Sequence, residues 1–275
     1  MSHSEQLAQA EEVAAAPSVT IVMASYQRLT LLQPALRSAL AQDPAPCEVL
    51  VVDDGSDGQT RDWLRAAERA EPGLRVVFQA HEGVAAARAR GVAEARGDLV
   101  CILDSDDMLA PGALRRMLEE VGRHPQAELF HTAIRELRPN GAARLVTYPA
   151  FASARSMLWA TLLRPRVPFK HSGTLFRRTT ALALGSYDRS LACKVDIDLY
   201  LKFLHAGHRP RLIAEPLVEF RMHKDSVSRN RLLGVRMWFR LIDRYGPRNA
   251  ALRFGLKALR AASEMLKGLY LETRR

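Results

Sequence analysis

The apolar run Leu99–Leu103 ends abruptly in Asp104, Asp106 and Asp107, within the stretch CILDSDDML. Three carboxylates this close repel one another, so at least one holds a proton more tightly unless a cation sits among them. A hard divalent ion, Mn²⁺ or Mg²⁺, held by one or two of the carboxylates and by diphosphate oxygens, relieves that repulsion. The structural alternative is a solvated loop whose aspartates cap the helix that follows. An EF-hand is excluded, because Arg115 stands where the twelfth-position glutamate belongs. A second acidic group, Asp196 and Asp198 in VDIDL, offers a general base for a hydroxyl acceptor. The two carboxylates share a face in a strand but diverge by about 200° in a helix. Either a catalytic or a capping role is open to them.

The elements that must position these groups read clearly in the first half of the chain. VTIVMA (19–24), VLVV (49–52), LRVVFQ (74–79) and LVCIL (99–103) are short runs rich in apolar and β-branched residues, suited to strands buried on both faces. Between them lie helical stretches. One is opened by a capping box at Thr30–Gln33, with Pro34 in its first turn; others lie near 62–69 and 84–96. This alternation predicts right-handed crossovers and a largely parallel sheet. Ligands of such sheets bind beyond the carboxyl ends of the strands, which gathers SYQR, DDGSDG, HEG and DSDD on one rim. Further on, a helix follows Pro111, AELFHTAI (127–134) reads as a strand and RPNGA (138–142) as a hairpin turn. Residues 150–225 mix short elements with weaker periodicity.

The composition is that of an ordinary globular chain of 275 residues, 48% hydrophobic and 25% charged. Cys47, Cys101 and Cys193 are odd in number and far apart, which argues against a disulfide framework and a cysteine zinc site. No apolar run is long enough to span a bilayer. The expected location is the cytoplasm, with peripheral attachment at the inner face of the cell membrane left open. Of the net charge of +10, residues 228–275 carry +9, so a nucleic-acid-binding core is not expected. Within that basic tail Leu252, Leu256, Leu259, Ala262, Leu266 and Leu269 form an apolar helical stripe, flanked by Arg253, Lys257, Arg260 and Lys267. Such a helix suits an anionic membrane surface, or equally the side of the main domain.

SVTIVMASYQR, EVLVVDDGSDGQT and GVAAARARGVAEARGDLVCILDSDDMLAPGAL, in this order, resemble the N-terminal half of a family 2 glycosyltransferase. The resemblance extends more loosely to about residue 228 through VDIDLYLKFLHAG and EFRMHKDSVS. It implies the α/β GT-A fold, a Rossmann-like arrangement with a mixed sheet flanked by helices, followed here by the basic helical extension. It also implies three segments: a leader over 1–17, disordered or helical; a catalytic domain over 18–227, with a donor half to 125 and an acceptor half from 126; and the tail over 228–275.

Position by position, the resemblance implies that Ala24, Ser25, Tyr26 and Arg28 contact the nucleotide of a sugar-nucleotide donor. Asp53 reads the base, and a uracil imide N–H suits its carboxylate. Arg88 reaches the diphosphate or base, and Asp104 with Ser105 holds the ribose or an outer-shell water. Asp106, Asp107 and His223 hold the metal, and Asp196 is the base. His81, Ala89 and Val195 stand where the family pattern has Asn, Asn and Glu. The implied acceptor is a glycan, a lipid-linked molecule or a small molecule. Two other readings stand beside this one: a sugar-phosphate nucleotidyltransferase, disfavoured because ASYQRLT has no glycine, and a silent binding protein of the same fold.

Overall fold

The computed structural model describes residues 17–222 and 231–272, with side chains as far as Leu266. Strands β1 (Val19–Ser25), β2 (Glu48–Asp53), β3 (Leu74–Phe78) and β4 (Leu99–Ile102) are parallel, in the spatial order β3-β2-β1-β4. Their alternate residues enter two cores, as the two-residue period of a strand requires. Val22, Leu50, Val52 and Val100 face the core built with helix α3 (Val84–Glu94). Ile21, Met23, Val49 and Val51 face the opposite core, with α1 (Leu29–Leu40), α2 (Gly58–Ala70) and α4 (Ala113–Arg123). Continuous apolar strands are the signature of this two-sided burial.

The second half departs from the parallel pattern. β5 (Met108–Leu109), β6 (Leu129–Leu137), β7 (Ala143–Val146), β8 (Thr174–Arg177) and β9 (Arg211–Arg221) extend the same sheet in the order β4-β8-β6-β9-β5, with β7 on β6. β8 is antiparallel to both β4 and β6. The sheet is therefore mixed: the first four strands are parallel as expected, β8 runs against both its neighbours, and β9 is parallel to β6. The β6–β7 hairpin turns at residues 138–142, where the sequence places it.

Two helix starts differ from expectation or sharpen it. α1 begins at Leu29 with Arg28 at the N-cap and no side-chain cap, so the Thr30 capping box does not form. Arg28 is drawn instead into an ion pair across the rim. α2 begins four residues earlier than the sequence suggests, because Asp57 accepts a hydrogen bond from the Thr60 amide at 2.9 Å.

Close packing fixes the rim. A Cβ on Gly91 would lie 2.4 Å from Val22 Cγ1, so only glycine lets α3 approach β1 this closely. Gly173 has φ +81°, and a Cβ there would meet Val218 at 2.4 Å. Its amide donates to the Ile102 carbonyl, which brings the loop before β8 beneath the aspartates.

The remaining helices are α5 (Ala154–Leu163), α6 (Arg178–Ala183), α7 (Val195–His205), α8 (Arg231–Tyr245) and α9 (Ala250–Glu272). The tail set apart by its charge thus starts with a helix of the core, since α8 buries Met237, Trp238, Leu241 and Ile242 alongside α7. Asp198 joins the two helices. It is wholly buried, accepts from Tyr245 Oη at 2.8 Å and Arg244 Nη1 at 3.0 Å, and pairs with Lys202 at 3.2 Å. Asp198→Ala removes this shared buried acceptor from Tyr245, Arg244 and Lys202 and should lower unfolding stability by about 3 kcal/mol. Asp196→Ala should cost less than about 1 kcal/mol. Urea unfolding of the two variants tests the contrast.

Candidate functional site

The pairing of Ser25 with Asp53 and of Val22 with Ile102 brings the ends of β1, β2 and β4 to one rim. There the glycine-rich turn after β2 divides its aspartates by role. Asp54 organises the HEG loop, accepting from the Glu82 and Gly83 amides at 2.9 Å and pairing with His81. His81 in turn stacks on Tyr26, with ring centroids 4.0 Å apart. Asp53 is fully buried; its Oδ2 receives the Ser56 amide at 3.2 Å and lies 3.4 Å from Arg61 Nε. Among the described residues its Oδ1 has no hydrogen-bond partner. Nor has the buried hydroxyl of Ser25. Ala24 is half-buried against the core, so its side chain offers the rim only bulk.

The three carboxylates after β4 have unequal surroundings. Asp104 meets Arg88 Nη2 at 2.5 Å and His171 Nδ1 at 3.3 Å. Burial works to raise its pKa, but Arg88 and His171 outweigh it and hold the carboxylate well below its usual range. Asp106 pairs with Arg28 at 2.5 Å. Asp107 is wholly buried, and its Oδ1 accepts from the Arg221 amide at 3.1 Å. Burial first, then the charges of Asp104 and Asp106, push it well above the usual carboxylate range. Among the described residues its Oδ2 has no hydrogen-bond partner. One ligand atom from each aspartate lies within 4.8 Å of the others. Oxygen donors at this spacing, one of them buried and unsatisfied, fit a hard divalent cation. Ser105 is buried in the turn between them.

Arg88 comes from α3, where Ala85, Ala86 and Ala87 are buried as small residues against the sheet. Burial disfavours its charge, but Asp104, Tyr187 and Asp196 overcome this and raise its pKa. Among the described residues its Nε has no hydrogen-bond partner. Arg90 and Arg96 serve the scaffold instead, through Glu94 and Glu48.

An open cleft of about 1490 Å³ runs from Asp104 and Asp107 past His171, Ser172 and Asp196 to Trp238 and Glu264. Asp196 sits in the first turn of α7, half-exposed at this cleft, while Asp198 turns away into the core. The helix therefore separates the two candidates left open by spacing alone. Lys194, not Asp196, occupies the N-cap. His223 lies outside the described residues.

His171 and Ser172, in the loop before β8, also belong to the site. They lie directly under Asp104, with Ser172 Oγ accepting its amide at 3.3 Å and His171 Nε2 lying 2.7 Å from Tyr187 Oη. Tyr187, Arg221 and Trp238 went unnoticed in the sequence. Tyr187 comes from the loop after α6, Arg221 from the end of β9 and Trp238 from α8, placements that no local motif announces.

Parallel β3-β2-β1-β4 with an acidic rim, continued by antiparallel β8 beside β4, defines the GT-A architecture. The fold is shared with S. aureus TarS 1-349 in complex with UDP-GlcNAc, at TM-score 0.67 and 16% identity over 90% of this chain and 72% of that one. It is shared as well with the mannosyltransferase PcManGT from Pyrobaculum calidifontis in complex with GDP-Man and Mn²⁺, at TM-score 0.65 and 19% identity over 91% of this chain and 70% of that one. The model of glycosyl transferase family 2 matches residues 20–174, more than half of the chain, and the chain belongs to that family. Among curated relatives, the succinoglycan biosynthesis protein ExoO of Rhizobium meliloti (strain 1021) is 30% identical over 226 residues, covering 78% of this chain and 63% of its own length. The first curated relatives matched are covered over 19% to 63% of their lengths.

The raised Asp107 carboxyl makes a stability prediction. Its extra proton affinity favours the fold fully below the unfolded pKa near 3.9, and that contribution is lost as pH rises through the folded value. In chelator, wild-type stability should fall with rising pH more steeply than that of Asp107→Asn. Mn²⁺ at a hundredfold excess over its Kd should restore about 2.7 kcal/mol at neutral pH in wild type only. Calorimetry of both proteins across pH, with and without Mn²⁺, checks this.

Proposed function

We propose that this chain is an inverting glycosyltransferase that moves a sugar from a UDP-linked donor to a hydroxyl of an acceptor lying in the cleft. One observation carries the reading. Ser25 Oγ, Asp53 Oδ1, Arg88 Nε and Asp107 Oδ2 are buried polar atoms without partners among the described residues, all on the rim that leads into the cleft. Buried orphans of this kind cost stability unless a ligand satisfies them.

Asp53 supports uracil over guanine. Its Oδ2 is engaged by Ser56 and Arg61, so one oxygen remains for the base. A uracil imide presents one N–H, whereas guanine presents two adjacent donors that ask for both oxygens. Tyr26, stacked on His81, gives the base an aromatic wall. Arg88 and Arg28 supply positive charge where the diphosphate would lie. Asp106 and Asp107 would hold Mn²⁺ or Mg²⁺, which when bound offsets the charge that develops on the leaving diphosphate. Asp104, fixed by Arg88 and His171, faces the ribose with Ser105 beside it.

Asp196 accepts the proton of the incoming hydroxyl. It stands at the cleft on a helix anchored through Asp198, so its position is set by the α7–α8 contact. A single displacement aided by one carboxylate base inverts the anomeric centre. The likeness to a succinoglycan biosynthesis protein supports a glycan acceptor in cell-envelope polysaccharide assembly, with lipid-linked and small-molecule hydroxyls as the other acceptor classes.

Sugar nucleotides of UDP, GDP and dTDP, each incubated with the protein and Mn²⁺, test the reading. UDP release from a UDP-sugar is expected, and release of pyrophosphate would instead mean nucleotidyl transfer. Asp196→Asn should lower kcat about 10²–10⁴-fold while UDP still binds. Asp53→Ala should weaken UDP binding roughly tenfold or more, through the lost hydrogen bond to the base. Transfer by Asp196→Asn at the wild-type rate would remove that residue from the mechanism.

A further inference from the structure

Helix α9 wears its amphipathic faces in reverse. Two of its charged residues are buried and two more are tied to α8. Arg260 is fully buried, donates to the Leu162 and Thr161 carbonyls at the end of α5, and lies 3.7 Å from the Trp238 ring centroid. Glu264 is buried and accepts from Trp238 Nε1 at 3.3 Å. Arg253 and Lys257 both pair with Asp243. Outward stand Leu252, Phe254, Leu259, Met265 and Leu266, each 49–75% exposed. From Ala251 to Leu266 every exposed position of the helix is apolar or glycine. A surface helix of a water-facing domain does the opposite.

Of the basic residues that flank the stripe, Arg260 is thus committed to the interior and Arg253 and Lys257 are paired with Asp243, so these three are not free for an anionic surface as the spacing suggested. The outward face is apolar, and such a face marks an interaction site. It continues into a groove of about 340 Å³ between α5 and α9, lined by Trp159, Leu163, Pro247, Leu252, Leu256 and Leu259. Around the groove stand exposed arginines: Arg155, Arg164 and Arg166 on or just after α5, and Arg248 just before α9. Residues 151–166 contain these three arginines and no acidic residue. Among the described residues Arg155, Arg166 and Arg248 have no acidic partner.

An apolar centre bordered on the α5 side by arginines with no acidic residue among them discriminates between occupants. A second copy of this face would bring like charges together around the contact. An anionic bilayer meets both features at once. We propose that the α5–α9 face docks on an anionic lipid surface, with the exposed α9 side chains in the acyl boundary and the arginines against the headgroups. No helix among the described residues is long and apolar enough to cross a membrane, so the contact is with the surface. Arg164, Pro165 and Arg166 also line the large cleft, so the bilayer lies beside its mouth. If the transferase reading holds, that placement suits an acceptor carried in the membrane.

The test is flotation of the full chain with vesicles of phosphatidylcholine, with and without phosphatidylglycerol. It needs no sugar nucleotide, so its failure is distinct from failure of the transferase reading. Recruitment is expected to the anionic vesicles and to be weaker on neutral ones. Phe254→Ser/Leu259→Ser/Met265→Ser should lower partitioning roughly tenfold or more while keeping the thermal midpoint, because these side chains are exposed. Arg155→Gln/Arg248→Gln should remove much of the preference for phosphatidylglycerol. Absence of flotation, or flotation unaffected by the triple substitution, overturns the proposal. So does a concentration-dependent dimer in sedimentation velocity that the triple substitution abolishes, if the vesicles fail to recruit the protein.

Discussion

The mutual repulsion of three carboxylates at the end of β4 is the constraint from which the rest of the site follows. The sheet holds Asp104, Asp106 and Asp107 together whether or not their charges agree. Arg88 with His171 answers Asp104, and Arg28 answers Asp106. Asp107 has only the Arg221 amide as a described donor to its Oδ1, and its Oδ2 is buried without one. The cluster is one cation short. A proton can fill the gap, as the upward shift of Asp107 shows, and a divalent ion fills it better.

Supplying those counter-charges places demands on the scaffold. Arg88 can approach Asp104 because α3 lies close on β1, through Gly91 and its buried alanines. His171 arrives from the loop that Gly173 folds under β4. On the far side of the cleft, Asp198 ties α7 to α8 and so sets where Asp196 stands. Two aspartates two positions apart take different tasks because a helix sends them to different faces.

How much of this was legible depends on the range of the interaction. The first four strands announce themselves because burial on both faces leaves uninterrupted apolar runs, and the rim aspartates follow directly from strand ends. Asp53 and the aspartate cluster were therefore readable, and so was the turn chemistry of DDGSDG. The antiparallel entry of β8 was not, since pairing direction is settled by residues 70 or more positions apart. His171 entered the site by that route, on the loop before β8, while Tyr187 came from the loop after α6 and Arg221 from the end of β9. Periodicity found the stripe on α9 but carries no sign: Leu252, Leu259 and Leu266 point outward, whereas Leu256 is buried. The sign is set by Trp238 and the α5 carbonyls, which attract Arg260 inward. The Thr30 cap failed for a similar reason, as a distant carboxylate, Asp106, claimed Arg28 at the helix start.

The account stands or falls on the cation. Equilibrium binding of Mn²⁺, followed by electron paramagnetic resonance with and without UDP, measures it most directly. One ion per chain is expected, bound more tightly when UDP is present and lost in Asp106→Ala and Asp107→Asn. Manganese that fails to bind, or binds equally well without UDP and in both variants, would contradict it.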